Sequence, residues 1–213
     1  VVLFNRGFDP VRVRVDWKDL GLSDGPASVR DLWAGKDLGT VDGGLDVEVA
    51  SHDAAMFRIV GTEPLPPAGE SLVQDIPWKH VATFRGPIER DRSNGGVAAG
   101  DGKPLSIAGK AFVKGLGTFS GSLILVHLGG RCDRFTAEVG VDDAANGKGS
   151  VQFVVSADGD VLFDSGVMRG GDAAKAVDVP LAGRRESRLF VDAGGDSTAD
   201  DYADWADARL TCR

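Results

Sequence analysis

The chain has 213 residues and a formal net charge of -8 at pH 7, from 24 Lys and Arg against 32 Asp and Glu. Nucleic acids and anionic membranes need a basic binding face, so this charge argues against both as partners. Hydrophobic residues make up 42% of the chain, enough for one large core or two small ones. No apolar run reaches the length of a membrane-spanning helix, and any export signal is expected upstream of Val1.

Residues 1–60 predict a small antiparallel β-sandwich. Residues 11–17 alternate apolar and polar side chains with period two, residues 45–49 repeat the pattern, and residues 55–60 add a third strand. Turn signals rich in Gly, Asp and Ser separate these strands. Because about 60 residues bury little apolar surface, we expect this domain to pack against a larger neighbour.

Residues 61–70 predict a linker, because their three prolines and two glycines pair poorly in a sheet and favour an extended, semi-rigid spacer. Residues 71–213 then predict a second β-sandwich with long loops rich in Gly and Asp. Its strand patterns lie at 123–128, 135–141, 151–155, 161–163, 177–179, 189–191 and 205–211. The predicted fold class of the whole chain is therefore all-β.

The loops of the second sandwich contain the residue types that bind neutral sugars. A pyranose needs an aromatic face for its C–H patch and fixed polar groups for its hydroxyls. Structural interpretations are also open: Trp205 could be a core residue, residues 89–92 surface ion pairs, and residues 142–143 a turn. The candidate ligand-binding residues are Glu89, Arg90, Asn94, Phe119, Asp142, Asp143, Tyr202, Asp204 and Trp205.

Four segments of this region, 86–94, 114–120, 139–143 and 201–210, carry a resemblance to a known family. From about Ser71 to the C-terminus the chain resembles the NPCBM domain, a galactose-binding-like (jelly-roll) β-sandwich found on secreted bacterial glycosidases. The resemblance implies that the candidate loops gather at one end of the sandwich and bind a galactose-type sugar.

Two positions depart from the NPCBM pattern. Phe119 and Tyr202 stand where members of the family commonly have histidine. If those histidines touch the sugar in relatives, this chain has altered specificity or weakened binding. If they only pair with each other, the substitution changes packing alone. The sequence leaves both alternatives open.

The first domain carries a second resemblance. Residues 2–6, 15–22 and 29–39 resemble the C-terminal β-domain of family 27 α-galactosidases, whose neighbour is a catalytic (β/α)8 barrel. Those enzymes keep the nucleophile and the acid/base on the barrel, so the resemblance implies that this chain alone is not an enzyme. The sequence also lacks a phosphate-binding P-loop and a His-Glu-x-x-His motif.

The chain has two cysteines, Cys132 and Cys212, and neither has metal-ligand spacing. Two separate buried thiols are one interpretation. We favour a disulfide, which would contribute about 4 kcal/mol in the chain-entropy model. Galactose-binding-like sandwiches often hold a structural calcium ion, and this resemblance makes Asp91 and Asp207 the first candidate ligands.

These observations lead to one main hypothesis and two alternatives. The main hypothesis is a non-catalytic, carbohydrate-binding fragment of a secreted α-galactosidase-like glycoside hydrolase, with a galactose-containing glycan and the parent's catalytic barrel as partners. One alternative is a structural, domain-packing module without a sugar site. The other is an autonomous hydrolase, because the many acidic residues leave a catalytic carboxylate pair open.

Overall fold

The computed structural model describes all 213 residues and divides them into two compact units, Val1–Pro64 and Leu65–Arg213. The division falls inside the predicted linker. The linker is shorter than predicted, because Gly69 and Glu70 already belong to a strand that pairs with the last strand of the chain. None of the helices has the length and apolar character needed to span a bilayer.

The strands of the first unit are β1 (Val2–Phe4), β2 (Val11–Asp16), β3 (Pro26–Asp31), β4 (Lys36–Asp42), β5 (Gly44–Val49) and β6 (Ala54–Val60). They form a four-stranded sheet of order β1-β6-β3-β4 and a two-stranded sheet, β2-β5. The core surrounds Trp17, which is fully buried at the start of the short 3-10 helix Trp17–Leu20. The hairpin of β3 and β4 was not predicted, because β4 is exposed along most of its length and shows no alternation.

The second unit is a sandwich of two antiparallel sheets, which confirms the all-β prediction. Its 3-10 helices span Val73–Asp75 and Asp143–Ala145. Its strands are β7 (Gly69–Leu72), β8 (His80–Ala82), β9 (Glu89–Arg90), β10 (Leu105–Ile107), β11 (Lys110–Phe112), β12 (Gly115–Phe119), β13 (Ser122–His127), β14 (Cys132–Val141), β15 (Ser150–Ala157), β16 (Asp160–Arg169), β17 (Lys175–Pro180), β18 (Glu186–Asp192) and β19 (Tyr202–Cys212).

The six-stranded sheet has the order β17-β14-β19-β12-β9, with β7 also pairing with β19, and the five-stranded sheet has the order β16-β15-β18-β13-β8. Trp205 of β19 lies in the core between them. Its ring packs edge-on against Phe135 at 6.2 Å and against Phe153 at 5.0 Å. Cys132 and Cys212 are cross-strand partners on β14 and β19 and form the disulfide favoured from the sequence.

A hairpin covers the outer face of the six-stranded sheet. Strands β10 and β11 pack Leu105, Ile107 and Phe112 against the sheet in a small apolar cluster. Glycines in the sheet allow this close approach: a Cβ on Gly140 would lie 2.5 Å from Ile107 Cγ2, and a Cβ on Gly117 would lie 2.3 Å from a backbone carbonyl oxygen of the preceding segment. The polar residues on this face of the sheet are therefore enclosed.

Candidate functional site

An aromatic pair joins the end of β12 to the start of β19. Phe119 and Tyr202 are direct cross-strand partners, and their rings pack edge to face with centroids 5.3 Å apart. Phe119 is fully buried, whereas Tyr202 is partly exposed. These are the two positions that depart from the NPCBM pattern in the sequence analysis, and in this chain their side chains pack against each other.

Two loop residues that the sequence analysis missed lie beside this pair. The guanidinium carbon of Arg85 is 5.2 Å from the centroid of the Phe119 ring. Its neighbour Phe84 is 69% exposed and approaches the turn after β12, where a Cβ on Gly121 would lie 3.0 Å from Phe84 Cβ. The available signal was an aromatic residue in a short loop bounded by Gly86. We refer to Phe84, Arg85, Phe119 and Tyr202 as the aromatic rim.

Asp201 fixes the backbone around the aromatic rim. Its Oδ1 accepts a hydrogen bond of 2.9 Å from the Ser150 N–H, and its carbonyl oxygen accepts one of 3.2 Å from the Ser120 N–H. Burial raises the pKa of Asp201, and the Ser150 hydrogen bond only partly opposes this. This fully buried residue therefore connects the end of β12 with the starts of β15 and β19. These hydrogen bonds hold the backbone beneath the aromatic rim in place.

The covered outer face of the six-stranded sheet holds a row of four cross-strand neighbours. Glu89 lies opposite Gly117, which lies opposite Asp204, which lies opposite Gly140. Directly opposite residues point to the same face of a sheet, so the Glu89 and Asp204 side chains share this face. Asp204 is fully buried, between two glycines that leave room for the cover. Two of the candidate ligand-binding residues are thus brought together, but beneath other parts of the chain.

Asp142 and Asp143 hold the covering hairpin in place. Asp142 Oδ2 accepts a hydrogen bond of 3.1 Å from the Ser106 N–H, and its Oδ1 accepts one of 2.7 Å from the Ala144 N–H. Asp143 Oδ2 accepts hydrogen bonds from the Ser106 hydroxyl and from the backbone of the β10-β11 turn. The turn interpretation of this pair is therefore correct for Asp142, and Asp143 stays partly exposed.

Asp204 has an unusual environment for a carboxyl group. Neither of its oxygens accepts a hydrogen bond of ordinary geometry from the protein. Burial raises the pKa of Asp204 well above its usual range, and the neighbouring carboxylates of Asp142 and Asp143 raise it further. Burial beside Asp142 and Asp143 therefore favours the neutral form of the Asp204 carboxyl group. Its role in this structure is in the packing of the covered face, not in contact with a ligand from solvent.

Glu89 and Asn94 are also buried, and each holds a loop. Glu89 Oε1 accepts a 2.7 Å hydrogen bond from the Gly100 N–H. The Asn94 amide donates to the carbonyl oxygens of Arg85 and Pro87, at 3.2 and 2.9 Å. Asn94 thereby supports the backbone of the aromatic rim, so it acts through the rim residues and has no exposed surface of its own.

Arg90 and Trp205 lie away from the aromatic rim. The guanidinium of Arg90 stacks over the Trp78 ring at 4.3 Å and donates to the Gln74 carbonyl oxygen. Trp205 is 1% exposed and is enclosed by core rings. The expectation that Trp205 offers a stacking face for a sugar is wrong for this structure, because no part of its ring reaches the surface. The alternative core interpretation is the one observed.

The two predicted calcium ligands are occupied by other partners. Asp91 accepts hydrogen bonds from Lys114 Nζ at 2.6 Å and Gln74 Nε2 at 2.9 Å, and Asp207 Oδ1 lies 3.6 Å from an Arg209 nitrogen. Burial alone would raise the pKa of Asp91, but the Lys114 contact and further hydrogen bonds outweigh it and lower the pKa. No group of three or more His, Cys, Asp or Glu residues is arranged to hold a metal ion. These residues do not fit calcium as they stand.

Two family models match the chain. The model of the NPCBM/NEW2 domain matches residues 69–211, and that of the alpha galactosidase C-terminal beta sandwich domain matches residues 1–59. The two matches coincide with the two structural units. Neither model describes a catalytic domain.

Two curated relatives are similar in sequence. A Renibacterium salmoninarum protein named as an endo-alpha-N-acetylgalactosaminidase is 38% identical over 165 residues, which are 77% of this chain and 11% of that protein. Alpha-1,3-galactosidase B of Akkermansia muciniphila is 37% identical over 123 residues, 56% of this chain and 14% of that protein. The chain therefore spans only a small part of the length of either relative.

Solved structures from Clostridium perfringens are similar in fold. The CBM51 module of GH95 in complex with methyl-galactose has a TM-score of 0.60 and 33% identity, with 67% of this chain and 99% of that chain covered. The ZmpB structure of CBM51-2 in complex with GlcNAc and INT domains has a TM-score of 0.60 and 27% identity, with 88% and 37% covered. Because the NPCBM/NEW2 match covers more than half of the sequence, this chain belongs to the NPCBM/NEW2 domain family.

Proposed function

We propose that the second unit binds a terminal, galactose-type sugar at the aromatic rim. The observation that carries this proposal is the similarity to the CBM51 module in complex with methyl-galactose, which extends over 99% of that chain at 33% identity. The net charge of -8 is compatible with a neutral sugar as the ligand. The chain itself performs no hydrolysis in this proposal; it brings the parent enzyme close to its substrate.

The exposed groups of the aromatic rim supply the contacts that a monosaccharide needs. Phe84 presents an exposed ring for the C–H face of the sugar, and Arg85 and Tyr202 supply a guanidinium and a phenol for its hydroxyls. The buried residues Asn94 and Asp201 fix the backbone on which these groups stand. Pre-organised groups lose little entropy when a ligand binds, so a small surface site can still be selective.

Calorimetric titration of the full chain with methyl α-galactoside, GlcNAc and methyl α-mannoside tests the proposal. We expect weak, saturable binding of the galactoside, with Phe84→Ala weakening it about tenfold through the lost ring contact. Tyr202→Phe keeps the ring of the edge-to-face pair and removes only the hydroxyl. The affinity that it loses therefore measures the hydrogen bond between the Tyr202 phenol and the sugar. Phe8→Ala is the control, because Phe8 is another exposed phenylalanine and belongs to the first unit.

Two results would count against this site. One is the absence of binding by any of the three sugars, which would favour the alternative of a structural module. The other is equal affinity for Phe84→Ala and Phe8→Ala, which would move the sugar away from the rim. A chromogenic α-galactoside should remain uncleaved by the chain, since the family's catalytic groups lie on a barrel.

For the first unit we infer a role in contacting the parent's catalytic domain, in a secreted glycoside hydrolase. Phe4, Phe8 and Trp33 are exposed on this small unit, and Phe4 and Trp33 line a groove of about 390 Å³ with His52. Exposed aromatic clusters on a small domain mark interaction surfaces. The match to a domain described as C-terminal in alpha galactosidases supports a catalytic domain as the partner.

The full-length parent protein provides the test of that contact. Trp33→Ser should lower the melting temperature of the catalytic domain, because the domain would lose part of its apolar cover. Val113→Ser, at an exposed apolar site in the second unit, is the control. Equal melting temperatures for both variants would contradict the inferred contact.

A further inference from the structure

The five-stranded sheet of the second unit has an open outer face that the proposed rim site does not use. Cross-strand pairing places Leu123, Phe190 and Val154 in one row, and Leu125, Arg188 and Ser156 in the next. The outer face of a β-sandwich ordinarily carries polar residues. Here the rows form an apolar floor, and Val161, which extends the second row, is 64% exposed.

This face is concave. The floor and its borders enclose a groove of about 560 Å³, within the range of about 300–1,000 Å³ that is typical of ligand sites. Phe190 provides one aromatic ring, with the Arg188 guanidinium carbon 5.3 Å from its centroid. Neighbouring strands lie about 4.8 Å apart, a step comparable to one pyranose along a glycan chain. An apolar floor whose polar groups repeat at the strand separation fits an oligosaccharide better than a monosaccharide.

Of the three charged side chains that line the groove, Glu186 and Asp158 are compensated within the chain, and Arg188 lies over the Phe190 ring. Glu186 forms a 3.0 Å ion pair with Lys79. Asp158 accepts hydrogen bonds from the backbone N–H groups of Arg185 and Glu186, at 3.0 and 2.9 Å. A charged ligand would have to disrupt these contacts, whereas the hydroxyls of a neutral ligand can add to them.

We propose that this groove is a second carbohydrate-binding face, which takes an internal stretch of a neutral oligosaccharide. Phe190 and the aliphatic residues of the floor contact the sugar rings, and Arg188, Ser156 and Glu186 contact their hydroxyls. The groove shares no lining residue with the aromatic rim, so the two sites can engage one glycan surface together and raise avidity. Nothing in this proposal depends on the rim binding galactose.

NMR titration of the full, isotope-labelled chain with cellotetraose, mannotetraose and β-1,4-galactotetraose tests the groove. We expect at least one tetrasaccharide to shift the amides of β13, β15 and β18. Val161→Trp fills the groove from an exposed position, so the fold should survive, and it should weaken that binding about tenfold. Val113→Trp is the matched control at another exposed valine. Phe84→Ala should leave the groove shifts unchanged.

Three outcomes would overturn the proposal. The first is that no tetrasaccharide shifts these amides, and the second is that Val161→Trp binds as tightly as Val113→Trp. The third is that the same amides shift with protein concentration alone, which would assign the face to a second copy of the chain. Methyl α-galactoside binding is read separately at the amides of the rim. Failure of the groove and failure of the rim are therefore distinguishable.

Discussion

The two sheets of the second unit differ in what lies on their outer faces. The six-stranded sheet is covered by the β10-β11 hairpin and by the segment before it, and the carboxyl groups of Glu89, Asp142 and Asp204 are buried on this face. The five-stranded sheet is open, and its outer face presents Phe190 and Val161. Acidic residues that look like ligand contacts in the sequence are buried on one face, and apolar residues that look like core are exposed on the other. Whether another segment of the chain packs over a sheet face therefore decides, more than the polarity of its side chains, which residues can contact a ligand.

The largest expected effect comes from the crosslink in the covered sheet. Replacing both cysteines, Cys132→Ser with Cys212→Ser, should lower the free energy of unfolding of the second unit by about 4 kcal/mol, because the bond closes a loop of 80 residues. Urea unfolding followed by resonances of this unit measures the loss. Reduction of the unmodified chain should reproduce it, and a loss below about 1 kcal/mol would show that the disulfide adds little to the sheet pairing.

The comparison predicts unequal costs for the same substitution on the two faces. Leu105→Ala removes a fully buried side chain from beneath the hairpin and should cost about 2–5 kcal/mol of unfolding free energy. Leu123→Ala removes a half-buried side chain from the open face and should cost about 1 kcal/mol, because little cavity is created. Urea unfolding of both variants measures the difference. Equal losses would mean that the open face is in fact covered in solution.

The sequence predicted the fold far better than the site. Period-two patterns locate the long strands because one face of each is buried, and the resemblance supplied both domain types. The hairpin of β10 and β11 was missed, since its strands have three residues each and lie in a Gly-rich stretch. That hairpin is what buries Asp204 and holds Asp142, so missing it changed the interpretation of both residues. Phe84 was missed for the opposite reason: its exposure depends on how a loop folds.

A pH titration sharpens the account of the covered face. Asp204 has a raised pKa in the folded state, so the folded chain binds more protons than the unfolded chain between the ordinary aspartate pKa and the raised one. Its contribution to stability is thus fully present at low pH and is lost as the pH rises through the raised pKa. Asp204→Asn cannot ionise, so it does not lose this contribution. The free energy of unfolding of the variant should therefore rise relative to that of the unmodified chain as the pH increases from 4 to 8. Urea unfolding at each pH measures the gain.

Asp192→Asn is the control for that titration, because Asp192 is an exposed acid on the five-stranded sheet. Its stability relative to the unmodified chain should change little over the same range. A flat profile for Asp204→Asn would mean that Asp204 is ionised in the folded chain. The enclosed face would then need a cationic or hydrogen-bonding partner that the structure does not show.

The smallest expected effect concerns Lys114 and Asp91, a half-exposed pair at the other end of β12 from the aromatic rim. Lys114→Met should lower the melting temperature slightly at pH 7, since exposed pairs contribute little and salt screens them. Asp91 has a lowered pKa, so its contribution is present above the unfolded pKa and is lost as the pH falls through the lowered one. The two proteins should therefore melt alike at low pH or in high salt. If the melting temperatures still differ under both conditions, Lys114 stabilises the chain through packing and not through its charge. The partly exposed Lys114–Asp91 pair would then behave like the buried residues of the covered face.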